Sequence, residues 1–272
     1  MTDYEGLLRL GTFAGVLVLM MALESLFPRR MRRCDRLLRW PANFAITLLN
    51  TLLVRLLFPA AAVGFALAMT ERGIGLFNQV PVPEPVAIIA AMLLLDLGIY
   101  AQHVIFHRIP VLWRIHRMHH TDLDLDVTSG ARFHPLEIVF SMFIKCGIIA
   151  TLGAPATAVL LFEVLLNAGS MFNHANLRLP TQLDYLLRTL IVTPDMHRIH
   201  HSVRPAETNS NYGFNLSCWD RLFHTYTKQP EDGHTGMVIG LKEFQTLDEL
   251  RISRMLALPF VAGNKRRPHS GH

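Results

Sequence analysis

The chain has 272 residues, 51% of them hydrophobic and 17% charged, with a formal net charge of +5. That balance fits a membrane protein and argues against a nucleic-acid binder: the basic residues are clustered, no basic stripe is interleaved with aromatics, and no nucleic-acid motif occurs. Cys34, Cys146 and Cys218 have no CxxC spacing, so neither a disulfide framework nor a zinc ribbon is expected.

Residues 7–27 are the first apolar run, long enough to cross a bilayer at 1.5 Å per residue. It follows Asp3 and Glu5 and is too long for the core of a cleavable signal, so none is expected. Glu24 is placed at the interface. Arg29, Arg30, Arg32, Arg33, Arg36 and Arg39 follow, opposed only by Asp35, and mark a cytoplasmic flank. Residues 42–69, interrupted by Arg55 and Pro59, read as one tilted, kinked span, with a shallow broken pair as the alternative. The Gly- and Pro-containing loop 70–84 is the external turn.

Residues 86–100 are the third span, continuing as helix to His107. Asp96 lies two helical turns before His103, where it either orients that histidine or sits at the interface. From His103 to His120 the chain carries H-x3-H (His103, His107) and H-x2-HH (His116, His119, His120). Residues three and four apart share a helix face, so each set is expected to point one way. A polar loop with Asp122, Asp124 and Asp126 follows, then Arg132-Phe133-His134-Pro135. The apolar runs 138–152 and 156–168, split by Gly153-Ala154-Pro155, read as a helical hairpin. A hairpin supplies the even number of crossings that keeps the downstream histidines on the same side. His174 is placed just past it. Residues 183–192 read as an interfacial helix. Thr193-Pro194-Asp195 starts the helix bearing a second H-x2-HH, namely His197, His200 and His201. A polar tail, residues 265–272, ends the chain.

Neutral imidazole is the commonest metal-ligand side chain. Eight box histidines plus His174 are too many for one tetrahedral ion, and suit two ions with open positions. H-E-x-x-H is absent, and no glutamate lies within the boxes as a ready base. Two redox metals beside a membrane suggest oxygen activation on a lipid, since an inert C–H bond needs a strong oxidant that a cofactor supplies. A zinc-dependent membrane hydrolase and a non-enzymatic metal carrier or sensor are the rival readings.

The ordered boxes, together with Arg132-Phe133-His134-Pro135, Asn173-His174-Ala175-Asn176, Asn211-Tyr212-Gly213 and Trp219-Asp220-Arg221-Leu222-Phe223, resemble the fatty acid hydroxylase / sterol desaturase superfamily of membrane di-iron oxidoreductases. Within it, the motifs are most similar to bacterial sterol desaturase family proteins and alkylglycerol monooxygenase. The resemblance implies an all-α multi-pass protein of about three spans plus a hairpin, with a cytosolic histidine-rich cap. It divides the chain into N-terminal membrane helices (1–84), a catalytic domain (85–227) and a C-terminal tail (228–272). It implies two iron ions, with zinc able to substitute, held by His103, His107, His116, His119, His120, His174, His197, His200 and His201, with His134 as a further candidate. The other partners implied are a lipid substrate, O2 and a separate electron-donor protein, since no cytochrome b5-type domain is evident. Residue 170 is Ser and residue 178 is Arg where relatives would carry a second histidine pair, leaving the tenth ligand open among Asn173, Asn176 and a water. Asp122 and Asp195 are candidates for orienting imidazole N–H groups. Tyr212 and Trp219 line either the substrate or the core. His224, His234, His269 and His272 are expected outside the centre, the last three in solvent.

Overall fold

The computed structural model describes residues 2–261. His269, His272 and the polar tail lie outside the described residues. In chain order the helices are α1 (Thr2–Leu26), α2 (Arg36–Leu57), α3 (Ala61–Glu71), α4 (Leu76–Gln79), α5 (Glu84–Arg108), α6 (Pro110–His120), α7 (Pro135–Leu152), α8 (Ala156–His174), α9 (Thr181–Leu187) and α10 (Pro194–His200), with a 3-10 turn at Val127–Ala131. Among the described residues β pairing is confined to isolated bridges. Five helical stretches are long and apolar enough to cross a membrane: Glu5–Leu26, Arg36–Gln79, Glu84–Arg108, Pro135–Leu152 and Ala156–His174. Large apolar side chains such as Leu10, Leu48, Leu56 and Phe143 stay exposed on them. A soluble domain would bury these; a multi-pass membrane protein turns them to lipid.

Small residues set the packing of the membrane half. Ala62 and Ala66 of α3, Ala91 of α5 and Ala158 of α8 are fully buried beside Leu95, Ile149 and Phe162, so the helix backbones approach closely. The stretch expected as one kinked span is two helices. Phe58-Pro59-Ala60 interrupts it, because Pro59 has no amide N–H to extend α2. The two helices run in series along the hairpin: Phe58 packs edge-on against Phe143, midway along α7, at 5.2 Å between centroids. Beyond α3, Gly75 meets the hairpin tip. A Cβ on Gly75 would lie 2.0 Å from the Gly153 amide nitrogen. Gly153, at φ 64°, ends α7 in the left-handed conformation that glycine adopts without strain.

Both hairpin arms are longer than the apolar runs suggested. α7 starts at Pro135, and α8 ends on His174 rather than before it. The 18 and 19 residues of these helices correspond to roughly 27–28 Å at the α-helical rise. At the other end of the helices a polar cap assembles. Arg39, fully buried, donates to Asp122 (2.7 and 2.8 Å), Asp126 (2.6 Å), Ser129 and the Asp124 carbonyl. Asp124 in turn accepts the Arg33 and Cys34 amides. Glu24 is not an interfacial carboxylate: it is fully buried and accepts from Arg36, the Val127 amide and the Asn176 amide, joining α1 to the cap. The expected interfacial helix is shorter than its apolar run, and inside the cap the Asp184 carboxylate is held by Arg188 and Thr193.

Candidate metal centre

Three helices and one helix end deliver the histidines. Pro110 restarts the chain as α6 after Ile109, whose φ −92°, ψ 116° is the extended geometry favoured before proline. That bend turns α6 under the end of α5. Thr193 caps α10, its Oγ1 accepting the Met196 amide at 3.4 Å, and Pro194 occupies the first turn.

Among the described residues, two groups of histidines could each hold a metal ion: His103, His107, His116, His120 and His200 in one, and His119, His174, His197 and His201 in the other. In each group the available nitrogens lie within 4.8 Å of one another. The first box thus does not point one way. His116 and His120, four apart, enter the group of five, while His119 enters the group of four. In the second box His197 and His201, four apart, enter the group of four, and His200 crosses to the five. At 3.6 residues per turn, positions i+3 and i+4 diverge by about 100°, so α6 and the α10 stretch each feed both groups, whereas α5 feeds only the five and α8 only the four. The groups adjoin: His120 and His201 stack at 4.6 Å and His197 and His200 at 5.2 Å.

The hydrogen bonds behind the rings set their tautomers. His103 Nδ1 donates to the Tyr212 carbonyl (2.7 Å), His200 Nδ1 to the Ser210 carbonyl (2.8 Å), His119 Nδ1 to the Arg132 carbonyl (3.2 Å) and His174 Nδ1 to the Ser170 carbonyl (2.7 Å). His116 Nδ1 donates to the buried Glu137 carboxylate at 2.7 Å. In the neutral form that metal ligation requires, an imidazole has one N–H, so each of these rings then presents a bare lone pair at Nε2. Yet His103 Nε2 and His116 Nε2 lie 3.1 Å apart, and His119 Nε2 and His174 Nε2 also 3.1 Å apart. Acceptor facing acceptor is repulsive unless a cation lies between them. One such pair occurs in each group. His200 Nε2 and both nitrogens of His107 are likewise buried without a protein partner. The donor set therefore fits a metal ion in each group.

Burial and neighbouring imidazoles hold His119, His120, His197 and His201 well below the ordinary histidine range. Burial brings His200 down to about 3. All five stay neutral, as a metal ligand must. The walls are aromatic. Phe133 stacks on His119 at 4.3 Å, Trp113 lies 4.7 Å from His107, and Tyr212 lies 5.1 Å from His107 and 5.5 Å from His200.

Several expectations are corrected. His134 is in neither group: its Nδ1 accepts the Leu136 amide as the cap of α7 and its Nε2 faces the Leu256 carbonyl, so the helix start fixes it away from the centre. Asp96 does not orient His103. It accepts from Asn215, the Leu216 amide and Trp219 Nε1, tying α5 to the 215–219 turn. Asp122 serves Arg39, and Asp195 serves Arg29 and Arg198; neither accepts from a ligand imidazole. His234 is not a solvent histidine but is buried beside Asp195. His224 is exposed, outside both groups. Asn176 bonds Arg30 through its side chain, while Asn173 Nδ2 donates to the Phe214 carbonyl and its Oδ1 is buried without a partner. Glu137 was missed. It lies outside every histidine box, and only the return of α7 beneath α6 brings it to His116. Asp220 was missed as well. It accepts the Tyr212 and Gly213 amides and so fixes the carbonyl that His103 uses, while burial raises its carboxyl to about 6.

The family model for fatty acid hydroxylases matches residues 88–225. The ornithine lipid hydroxylase OlsE of Rhizobium tropici is 31% identical over 158 residues, covering 58% of this chain and 46% of that protein. Alkylglycerol monooxygenase is 26% identical in Xenopus tropicalis, covering 55% of this chain and 32% of that one. The human alkylglycerol monooxygenase is 25% identical, covering 63% and 37%. The chain thus spans less than half the length of each of these relatives. No solved structure matches. With its histidine boxes inside the matched region, the chain belongs to the fatty acid hydroxylase family.

Proposed function

We propose that this chain is a membrane di-iron oxidoreductase that uses O2 and electrons from a separate donor protein to hydroxylate a lipid. The observation that carries the reading is the pair of opposed imidazole lone pairs, one in each group, each ring fixed by a Nδ1 hydrogen bond. His103, His107, His116, His120 and His200 would hold one ion, and His119, His174, His197 and His201 the other, which has one ligand fewer. Asn173, whose Oδ1 is free, or a water would complete it. Two redox ions there would supply the oxidising power to attack an unactivated C–H bond.

The chain's own residues supply the rest. Glu137 and the carbonyls of Tyr212, Ser210, Arg132 and Ser170 fix the ring orientations. Phe133, Trp113, Tyr212 and Phe214 exclude water from the rings. His107 is the least buried of the nine and marks the side from which a substrate approaches. Hydroxylation is favoured over desaturation because the relatives are a lipid hydroxylase and a monooxygenase by name. The active face is assigned to the cytoplasm because Arg39 of the arginine-rich segment binds directly into the histidine cap. The loop at Gly75 lies at the far end of the hairpin.

The deciding experiment is metal content of the purified chain beside His120→Ala and His200→Ala, followed by mass spectrometry of lipid products formed with O2 and reductant. About two irons per chain, lost or halved in both variants, with an oxygen-dependent product of one added oxygen atom, is expected. Metal retained in both variants, or a product formed without O2, would overturn the reading in favour of a hydrolase.

A further inference from the structure

Outside the histidine cages, a second set of buried polar atoms has no partner. Arg29 and Arg30 follow the end of α1, Arg198 lies on α10, and His234 lies in the short turn Gly233–Gly236. Several bonds draw these three segments together. The Arg29 amide donates to the Asn176 carbonyl at 3.0 Å and the Arg30 amide to Asn176 Oδ1 at 3.1 Å. Arg30 Nη2 donates to the Met237 carbonyl at 2.9 Å. Arg29 Nε and Arg198 both donate to Asp195, whose Oδ2 lies 3.5 Å from His234 Nε2.

Two guanidinium groups, Arg29 and Arg198, therefore share the single carboxylate of Asp195, and the Arg30 guanidinium adds its repulsion to Arg198. Asp124 is the acid acting on Arg30, but its carboxylate is engaged by the Arg33 and Cys34 amides. Arg188, also near His234, is taken by Asp184. Positive charge is in excess, and several of its donors are idle: Arg30 Nε and Nη1 and Arg198 Nε are buried without a hydrogen-bond partner in the protein, and the neutral His234 ring adds one more unpaired N–H beside them. Arg198 is 1% exposed and His234 6%. Unpaired buried N–H groups on cationic side chains are costly, and an anion relieves several at once.

We propose that Arg30, Arg198 and His234 form a site for a compact phosphate or carboxylate group. The setting favours one carried by a lipid. Arg29 and Arg30 follow directly on α1, a helix long and apolar enough to cross a membrane, with Leu26, Phe27 and Met31 exposed beside them, as expected of a segment that meets lipid headgroups. The site asks nothing of the metals, so its failure would leave the di-iron reading untouched.

The test uses the full chain, with thermal unfolding and metal content as readouts. Inorganic phosphate is titrated into protein in neutral detergent, and the protein is separately placed in nanodiscs of phosphatidylcholine with or without phosphatidylglycerol. Saturable stabilisation is expected. It should weaken by roughly tenfold or more in apparent affinity in Arg30→Gln and in His234→Ala, with metal content unchanged. Arg33→Gln, which removes a neighbouring exposed arginine bound to Gln245, should leave it intact. Stabilisation by phosphatidylglycerol with little by phosphate identifies a headgroup; the reverse identifies a free anion. Equal losses in Arg30→Gln and Arg33→Gln, or no stabilisation by either anion, would overturn the site. Two variants guard against one failing to fold.

Discussion

Two polar centres lie side by side in the cap, equally buried and opposite in their state of satisfaction. Around Arg39, guanidinium nitrogens meet Asp122, Asp126, Ser129 and the Asp124 carbonyl. Two residues along from Asp122, His120 belongs to a group in which lone pairs face lone pairs and several ring nitrogens have no partner. A buried network is stable when every member is paired. The Arg39 network meets that condition within the protein, whereas the histidine groups meet it only when something is added. The first is scaffold, and the second is a site.

The largest effect should separate the two. His200→Ala removes a nitrogen donor from the group of five, and on the proposed function metal and activity should be lost while the chain stays folded, read by metal analysis and thermal unfolding together. Arg39→Leu should do the reverse, destabilising by about 3–5 kcal/mol because two carboxylates lose a buried partner, with metal per folded chain unchanged. A histidine variant that unfolds the cap, or an Arg39 variant that loses metal while folded, would break the comparison.

Acid should take the regions apart in sequence. Burial lowers His234 from the ordinary 6.5 to about 4, so its neutral form favours folding. That stability is full above pH 6.5 and lost as pH falls through about 4, by up to ~3 kcal/mol at 1.36 kcal/mol per unit. Burial alone would raise Asp122, but Arg39 and Arg132 hold it at about 2. Its contribution is present above 3.8 and lost only as pH falls through about 2. A pH series of unfolding curves should therefore show a loss between pH 6.5 and 4 that His234→Gln flattens. A slope unchanged by that substitution would contradict the assignment.

Smaller effects sharpen the border between ligand and support. Glu137→Gln keeps a hydrogen-bond acceptor for His116 but removes the charge, and should weaken metal affinity by roughly 10- to 100-fold with little change in unfolding temperature. Titration with a competing chelator measures it. His134→Ala should cost only about 1 kcal/mol as the loss of a helix cap and leave metal content intact. Metal loss in that variant would restore His134 to the site.

The membrane helices and the nine histidines were legible early because both signals are local. A long apolar run declares a span, and i, i+4 spacing declares a shared helix face, as in His103 and His107. The break at Pro59 was visible only as an alternative. The length of α8 was misjudged because its apolar run is broken at Gly169 and Ser170, and the turn beyond, ending on Asn173 and His174, packs into the cap. Asp96 and Asp122 were matched to the wrong partners because a carboxylate's nearest donor in space cannot be read from its distance along the chain.

The sequence by itself determined which histidines would gather and that they would do so beside helices long and apolar enough to cross a membrane, since helical periodicity and apolar length act over a few turns. The tertiary structure decided the partition into five and four, the Nδ1 anchors that aim each Nε2 inward, the recruitment of Glu137 and the exclusion of His134. Those outcomes depend on how α5, α6, α8 and α10 cross, and crossing geometry is set by packing between segments up to about a hundred residues apart, which no local spacing encodes.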